Sequence, residues 1–465
     1  MTNPDYHRLH QMQHNYGSTP TTHRQNCPAD RLAVERTPGD PKSNGGFMEF
    51  SPIPNNREKD LADSMRAQSA PNLASTRLPG PVGRGRTNGV SQAVRLLRDL
   101  IALPSVNAAF LPSGDPRTGE AKMTNYLAQR AAKAKLDVER QPVAPGSDNL
   151  IIRLPPLGQA RHHILLAPHL DTVGGDDPNL FLPTRKRGRL HGRGACDTKG
   201  SVAAMFRALE IVAQRKQRPS KTEIVFAGLM DEECNQTGSR ALAKRRMKAD
   251  LAIVGEPTRC KVVTAHKGDL WLRLTATGKA AHGARPELGR NAVHTLARCI
   301  DAIETDYADL LRQRRHPLLG QATINTGTIR GGAQPNIVPD HCEADLDRRT
   351  LPGETFAGIR RELLGVLAKR GLKAKLIDVK DYTCPALETD PGIPWVRDFM
   401  RVARQRKPLG VDYYCDAANL AGSGIPTVVW GPGDIAQAHT ADEWIALDQL
   451  EHGTDLLTRF LLSLP

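Results

Sequence analysis

With 465 residues, 39% of them hydrophobic and 25% charged, the chain has the make-up of an ordinary globular protein and the length for two folded units. No apolar run approaches the roughly 20 residues that cross a bilayer, and the N-terminus lacks the charged start and short apolar core of a signal peptide, so a cytoplasmic protein without a membrane partner is expected. The formal charge of +14 is scattered rather than clustered, and only 4% of residues are aromatic, so the composition argues against nucleic acid as a partner.

Eight cysteines occur with no C-x-x-C and no regular spacing. That pattern suits free thiols in a reducing compartment and argues against a disulfide framework or a zinc knuckle.

Along the chain, residues 1–90 are rich in Pro, Asn, Ser, Gly and Arg and carry no lasting apolar periodicity. Such a segment buries too little surface to offset its ordering entropy, and a disordered extension is expected. Order begins at "QAVRLLRDLIALP", where Val94, Leu96, Leu97, Leu100 and Ile101 predict an amphipathic helix over 91–102 that stops near Pro104. Buried runs then alternate with helical patterns: "HHILLAP", "TEIVFAGLM", "ADLAIVG" and, much later, "IPTVVWG". This predicts an α/β unit with a mostly parallel sheet and helices on both faces. Between 263 and 380 the pattern changes to alternating strands such as "GDLWLRLTATG" and "CEADLDRRT", interleaved with two amphipathic helices. A two-layer α+β unit inserted into the first is expected there, so the domains read 1–90 extension, 91–262 first catalytic part, 263–380 insert and 381–465 second catalytic part.

Polar residues follow the predicted strands closely. His169 and Asp171 come after the first run, Asp231, Glu232 and Glu233 after the second, Glu256 after the third, and His439 a short loop beyond the fourth. In an open parallel sheet, functional groups gather outside the carboxyl ends of the strands, so four strands deliver acids or histidines to one edge. Asp197, in "GRGACDTKGS", stands just before a predicted helix; a plain N-cap would account for it alone. Imidazoles and carboxylates without thiolate form a ligand set suited to zinc, cobalt or manganese in a hydrolytic site, where one carboxylate can bridge two ions.

The motifs "HLDTV", "GRGACDTKG", "DEECNQTGSR", "IVGEPT", "KAAHGARPELGRNAV", "GGAQPNIVPDHCEADLDRRTLPGE" and "AHTADEW" resemble, in order, those of the M20 metallopeptidase family, which includes acetylornithine deacetylase and succinyl-diaminopimelate desuccinylase. The resemblance runs from about residue 92 to the C-terminus. It implies two divalent ions, zinc foremost with cobalt or manganese as alternatives, bound by His169, Asp197 as the bridge, Glu233, Glu256 and His439. Asp171 would orient the ring of His169, and Glu232 would be the general base for a metal-bound water that attacks the amide carbonyl. His282 would stabilise the oxyanion, and Arg349 with Asn336 would grip a substrate carboxylate. A salt bridge at a strand end is the competing reading of Arg348 and Arg349.

The resemblance also implies that 263–380 acts as a lid and as the contact of a homodimer. The expected reaction is removal of an acyl group from a small N-acyl amino acid, acetylornithine first. A succinyl-diaminopimelate desuccinylase, a carboxypeptidase or dipeptidase, and a non-catalytic binder on the same fold are the alternatives. "AGSGIP" lacks the first glycine of G-x-S-x-G, and no P-loop or dinucleotide fingerprint is present. Removing residues 1–88 is expected to leave the melting transition and turnover unchanged; a collapse of either, read by calorimetry and steady-state assay, would make the extension structural.

Overall fold

The computed structural model describes residues 91–465 apart from Asp176, so the disorder expected of residues 1–90, together with Cys27, lies outside the described residues. Helix α1 (Gln92–Ile101) opens on Ser91, whose hydroxyl accepts from the Val94 amide. It buries Val94, Leu96, Leu97, Leu100 and Ile101, the stripe that the spacing predicts. Helix α2 (Ala121–Lys133) precedes the hairpin β1 (Asp137–Ala144) and β2 (Ser147–Leu154). Three predicted runs then appear as β3 (His162–Pro168), β4 (Thr222–Gly228) and β5 (Leu251–Gly255), joined through α3 (Lys199–Ala213) and the short α4 (Thr237–Lys244).

After β6 (Val263–His266) the chain leaves for a second sheet made of β7 (Gly268–Thr277), β8 (Thr323–Gly331), β9 (His341–Thr350) and β10 (Lys375–Asp378). Helices α5 (Ala292–Ala302) and α6 (Phe356–Lys369) belong to the same stretch. The return runs through β11 (Leu387–Glu388), α7 (Pro394–Val402), β12 (Leu409–Val411), α8 (Ala417–Gly422), β13 (Thr427–Val429) and α9 (Leu447–Leu462).

The large sheet has nine strands in the order β1-β2-β4-β3-β5-β13-β6-β11, with β12 beside β6. Its centre, β4-β3-β5-β13, is parallel, and its flanks at β1-β2-β4 and β13-β6-β11 are antiparallel. The expected parallel sheet is therefore the middle of a mixed one. Parallel strands need cover on both faces, and the two-residue alternation supplies it. Leu166, Phe226, Ile253 and Val428 pack with α1, α3, α7 and α9, whereas Leu165, Val225, Val254 and Val429 pack with α4 and α8.

In the smaller sheet, ordered β8-β9-β7-β10, every pairing is antiparallel. Leu272 lies opposite Leu346 and Leu274 opposite Ala344, and these side chains bury against Leu296 of α5 and Leu363 of α6. This is the α+β layering expected from the sequence. Among the described residues, no helix is long and apolar enough to cross a membrane, and the seven described cysteines are free.

Candidate metal centre

The parallel centre of the large sheet points its carboxyl ends to one edge, and the residues just beyond those ends meet there. His169 comes from β3, Glu232 and Glu233 from β4, Glu256 from β5, and His439 from the loop after β13. Asp197 arrives from the turn before α3. Thr198, not Asp197, holds the capping position of that helix, so the Asp197 carboxylate is not used as a cap.

Nδ1 of His169 lies 3.1 Å from the main-chain oxygen of Asp171 and 3.3 Å from its Oδ1. Two acceptors face this nitrogen, so it carries the ring proton. On the opposite side, Nε2 of His169 faces Oδ1 of Asp197 at 3.1 Å and Oε1 of Glu256 at 3.9 Å. Nε2 of His439 faces Oε2 of Glu233 at 3.0 Å and Oδ2 of Asp197 at 3.4 Å. Nitrogen lone pairs and carboxylates aimed at one another need a proton or a cation between them.

Two groups result, His169-Asp197-Glu256 and Asp197-Glu233-His439, with the ligand atoms of each within 4.8 Å of one another. Asp197 belongs to both. Oε1 of Glu233 is buried and has no hydrogen-bond partner. This donor set of imidazole and carboxylate fits a divalent cation in each group.

Electrostatics point the same way. Burial pushes the carboxyls of Glu232 and Glu256 well above the usual range, and neighbouring carboxylates add to the shift. Burial takes Glu233 up to about 7, with Asp197 contributing. His439 is held at about 10 by its hydrogen bonds with Asp197 and Glu233. Burial opposes charge on His169, yet Asp171 and Asp197 raise it well above the ordinary imidazole value. So many acids in one buried space repel each other unless positive charge enters.

The loops are held by Asp171, expected from the sequence to orient His169, and by Asn107, Glu443 and Lys199, which sequence reasoning did not single out. Asp171 accepts from Asn107 Nδ2 at 2.7 Å and from the amides of Glu232 and Glu233 at 3.0 Å each. It thus fixes both the ring of His169 and the backbone that carries two acids. Asn107 also donates to Oδ1 of Asp231 at 2.9 Å. Buried Glu443 accepts from Arg193, from the amides of Gly194 and Cys196, and from the amide of Asp197 itself, all between 2.8 and 3.0 Å. Lys199, fully buried, donates to the carbonyls of Leu100 and Leu103 and so ties the end of α1 to the start of α3. Asp231 and His439 adopt left-handed backbone conformations, with φ of 62° and 61°, a strain of order 1 kcal/mol each for non-glycine residues.

Residues 165–463 match the model of peptidase family M20/M25/M40. The chain belongs to peptidase family M20. It is 31% identical over 373 residues to an acetylornithine deacetylase of Vibrio campbellii, covering 77% of this chain and 96% of that protein. Among solved structures, the aminopeptidase PepT of Bacillus cereus overlays with a TM-score of 0.65 at 23% identity, covering 80% of this chain and 97% of that one. A dinuclear metal-binding peptidase of the M20 family from Bacillus subtilis overlays at 0.59 and 14% identity, covering 80% and 97%. The M20 family is one of metallohydrolases, and this chain is an enzyme of that class.

Seven of the ten site residues expected from the sequence, namely His169, Asp171, Asp197, Glu232, Glu233, Glu256 and His439, meet at this M20 centre. The other three sit elsewhere. His282 lies in a two-residue strand paired with Ile337–Val338, and its neighbour Gly283 donates to the carbonyl of Asn336 at 2.7 Å. A Cβ at Gly283 would stand 2.9 Å from the Asn336 carbonyl carbon, so glycine is what lets the two strands approach. The structure therefore brings His282 and Asn336 together, both exposed.

Arg349 lies opposite Asp269 at the end of β9, with its Nε 3.0 Å from Asp347 and 3.7 Å from Asp269. Arg348 is buried, donating to Glu354 at 2.6 Å and to Tyr307 at 3.2 Å. Among the described residues, no hydrogen bond or ion pair links His282, Asn336 or Arg349 to the His169 cluster. Cys196, Cys234 and Cys415 flank site acids, and burial raises all three thiols, Cys234 up to about 12, which disfavours the ligating thiolate. Asp416 is fully buried, accepts from the Ser239 hydroxyl and leaves Oδ2 without a partner.

Glu443→Ala removes the acceptor for the Asp197 amide, and a loss of about 10- to 100-fold in metal affinity is expected in chelator competition. Unchanged affinity would leave Glu443 with no part in holding Asp197. His439 is protonated below about pH 10 in the protein alone and must be neutral to bind a cation, so metal affinity should rise with pH towards that value. Calorimetry in two buffers of different ionisation enthalpy should show proton release on metal uptake at neutral pH; absence of release would contradict this.

Proposed function

We propose that this M20 enzyme removes the acyl group from a small N-acyl amino acid, with N-acetylornithine as the first substrate. One observation carries the reading: the Asp197 carboxylate faces two histidines with its two oxygens, and each histidine brings a further glutamate. The substrate choice rests on the similarity to acetylornithine deacetylases.

His169, Asp197 and Glu256 would hold one divalent cation, and Asp197, Glu233 and His439 the other, zinc foremost with cobalt or manganese as alternatives. Bound there, the cations acidify water and polarise the amide carbonyl. Glu232 takes the proton from the attacking water and hands it to the leaving amine, so one carboxyl serves both steps. Gln236 donates to Oε1 of Glu232 at 3.1 Å and fixes its direction. Asp171 keeps the proton of His169 on Nδ1, so that Nε2 remains a ligand.

His282 supplies a donor for the tetrahedral oxyanion, while Arg349 and Asn336 grip the substrate carboxylate. All three reach the cluster when the 263–380 insert closes over it as a lid, or when a second copy presents its own. Support for a homodimer through this insert comes from β8, an end strand of the smaller sheet with mostly exposed residues that offers its outer edge for pairing. The free cysteines suit work in the cytoplasm.

A peptidase is the second reading, favoured by fold neighbours that are an aminopeptidase and a carboxypeptidase. Turnover of N-acetylornithine, N-succinyl-diaminopimelate, N-acetylcitrulline and dipeptides by zinc-loaded protein separates them. Preference for dipeptides would reject the first reading, and no metal-dependent hydrolysis at all would leave a binding protein on the same fold. Glu232→Gln is expected to keep its metal and lose turnover by roughly a hundredfold or more, whereas substantial residual activity would remove Glu232 as the base.

A further inference from the structure

Helix α7 and the loop behind it border a groove of about 670 Å³ that none of the metal-centre residues lines. Arg397, Arg401, Arg404 and Arg406 line it, with buried Met400 between them. The first three are spaced by four and three residues, which sets them along one helical face and its continuation. Only Arg401 has an acidic partner, Asp398 at 3.1 Å; among the described residues, Arg397, Arg404 and Arg406 form no ion pair. Asp390, the other nearby acid, accepts from the Gly392 amide at 2.8 Å.

A simple structural role explains half of this set. Cations near a helix C-terminus complement its dipole, which covers Arg401 and Arg404. Arg397 stands in the first turn of α7, where the dipole opposes a cation, and Arg406 lies beyond the helix.

The loop is also fixed before any ligand arrives. Gln405 accepts from the Val262 amide at 2.8 Å and donates to the carbonyls of Val262 and Lys407 at 2.7 and 2.9 Å. Arg404 and Arg406 therefore leave a backbone pinned on both sides, which lowers the ordering cost of binding.

We propose that this groove binds a small polyphosphorylated anion, held by the guanidinium groups of Arg397, Arg404 and Arg406. Arginine's planar fork matches phosphate oxygens two at a time. Three unpaired cations around one small-molecule-sized concavity call for a ligand that packs several negative charges into little volume. No aromatic side chain lines the groove, so the site has nothing on which to stack a base and reads phosphate alone.

Tripolyphosphate titrated calorimetrically into the zinc-loaded full chain, at about physiological ionic strength, tests the assignment. Wild type should bind, and the triple variant Arg397→Ala, Arg404→Ala, Arg406→Ala should bind about tenfold or more weakly, with turnover and melting temperature unchanged. Lysine at the same three positions keeps the charge without the fork and should weaken binding less, which provides a reading should the alanine variant fold poorly. Equal affinity in wild type and alanine variant would place the phosphate outside this groove and overturn the proposal. So would no binding by wild type, or single-stranded RNA held by these arginines that tripolyphosphate fails to displace.

Discussion

The rest of this structure depends on one carboxylate shared between two imidazoles. Asp197 turns one oxygen to His169 and the other to His439, and this arrangement is stable only where positive charge, as protons or as metal, lies between the groups. Its position has to be accurate to a fraction of an ångström, and three devices supply that accuracy. Thr198 relieves Asp197 of the capping position of α3, Glu443 holds its amide, and Lys199 anchors the same turn to the end of α1. The surrounding burial, which pushes the glutamates away from ionisation, makes the site electrostatically expensive as bare protein and receptive to cations.

The parallel centre of the sheet was legible because its strands, buried on both faces, are written as uninterrupted runs of Ile, Leu, Val and Ala. Of the candidate ligands, His169, Glu233 and Glu256 were legible because they stand just after those runs, whereas Asp197 before a helix and His439 in a later loop were legible through their motifs. The antiparallel hairpin β1-β2 was not read as strands, since β1 alternates only between exposed and half-buried positions and carries little apolar contrast. Asn107 and Glu443 escaped for another reason. Their partners lie 64 and 124 residues away for Asn107 and about 250 for Glu443, so no local period announces them. "AHTADEW" offered a signal for Glu443, an acid four residues after a histidine, but only the histidine had a role to be read.

The reaction proposed for this scaffold separates two tasks between two parts of the chain. The large sheet carries the residues that set charge, and its candidate ligands are braced by buried hydrogen bonds. The 263–380 stretch carries His282 and Asn336 at a separate two-residue pairing and Arg349 in the smaller sheet, all exposed or paired with their own neighbours. Arg349 rests against Asp347 and Asp269, carboxylates of the same chemistry as the substrate group it is proposed to grip, so a substrate replaces like with like instead of meeting an unpaired cation. Arg348, one residue earlier, shows the alternative fate of an arginine on this strand: it is buried against Glu354 and Tyr307 and serves the core.

The order of the ligands along the chain has a bearing on how the centre comes into being. His169, Asp197 and Glu256 are all made within the first 256 residues, whereas His439 lies close to the end of the 465. Synthesis runs from the N-terminus, so a growing polypeptide on the ribosome completes the first group long before the second. A chain cut short before residue 439 keeps every member of the first candidate group and two of the three in the second.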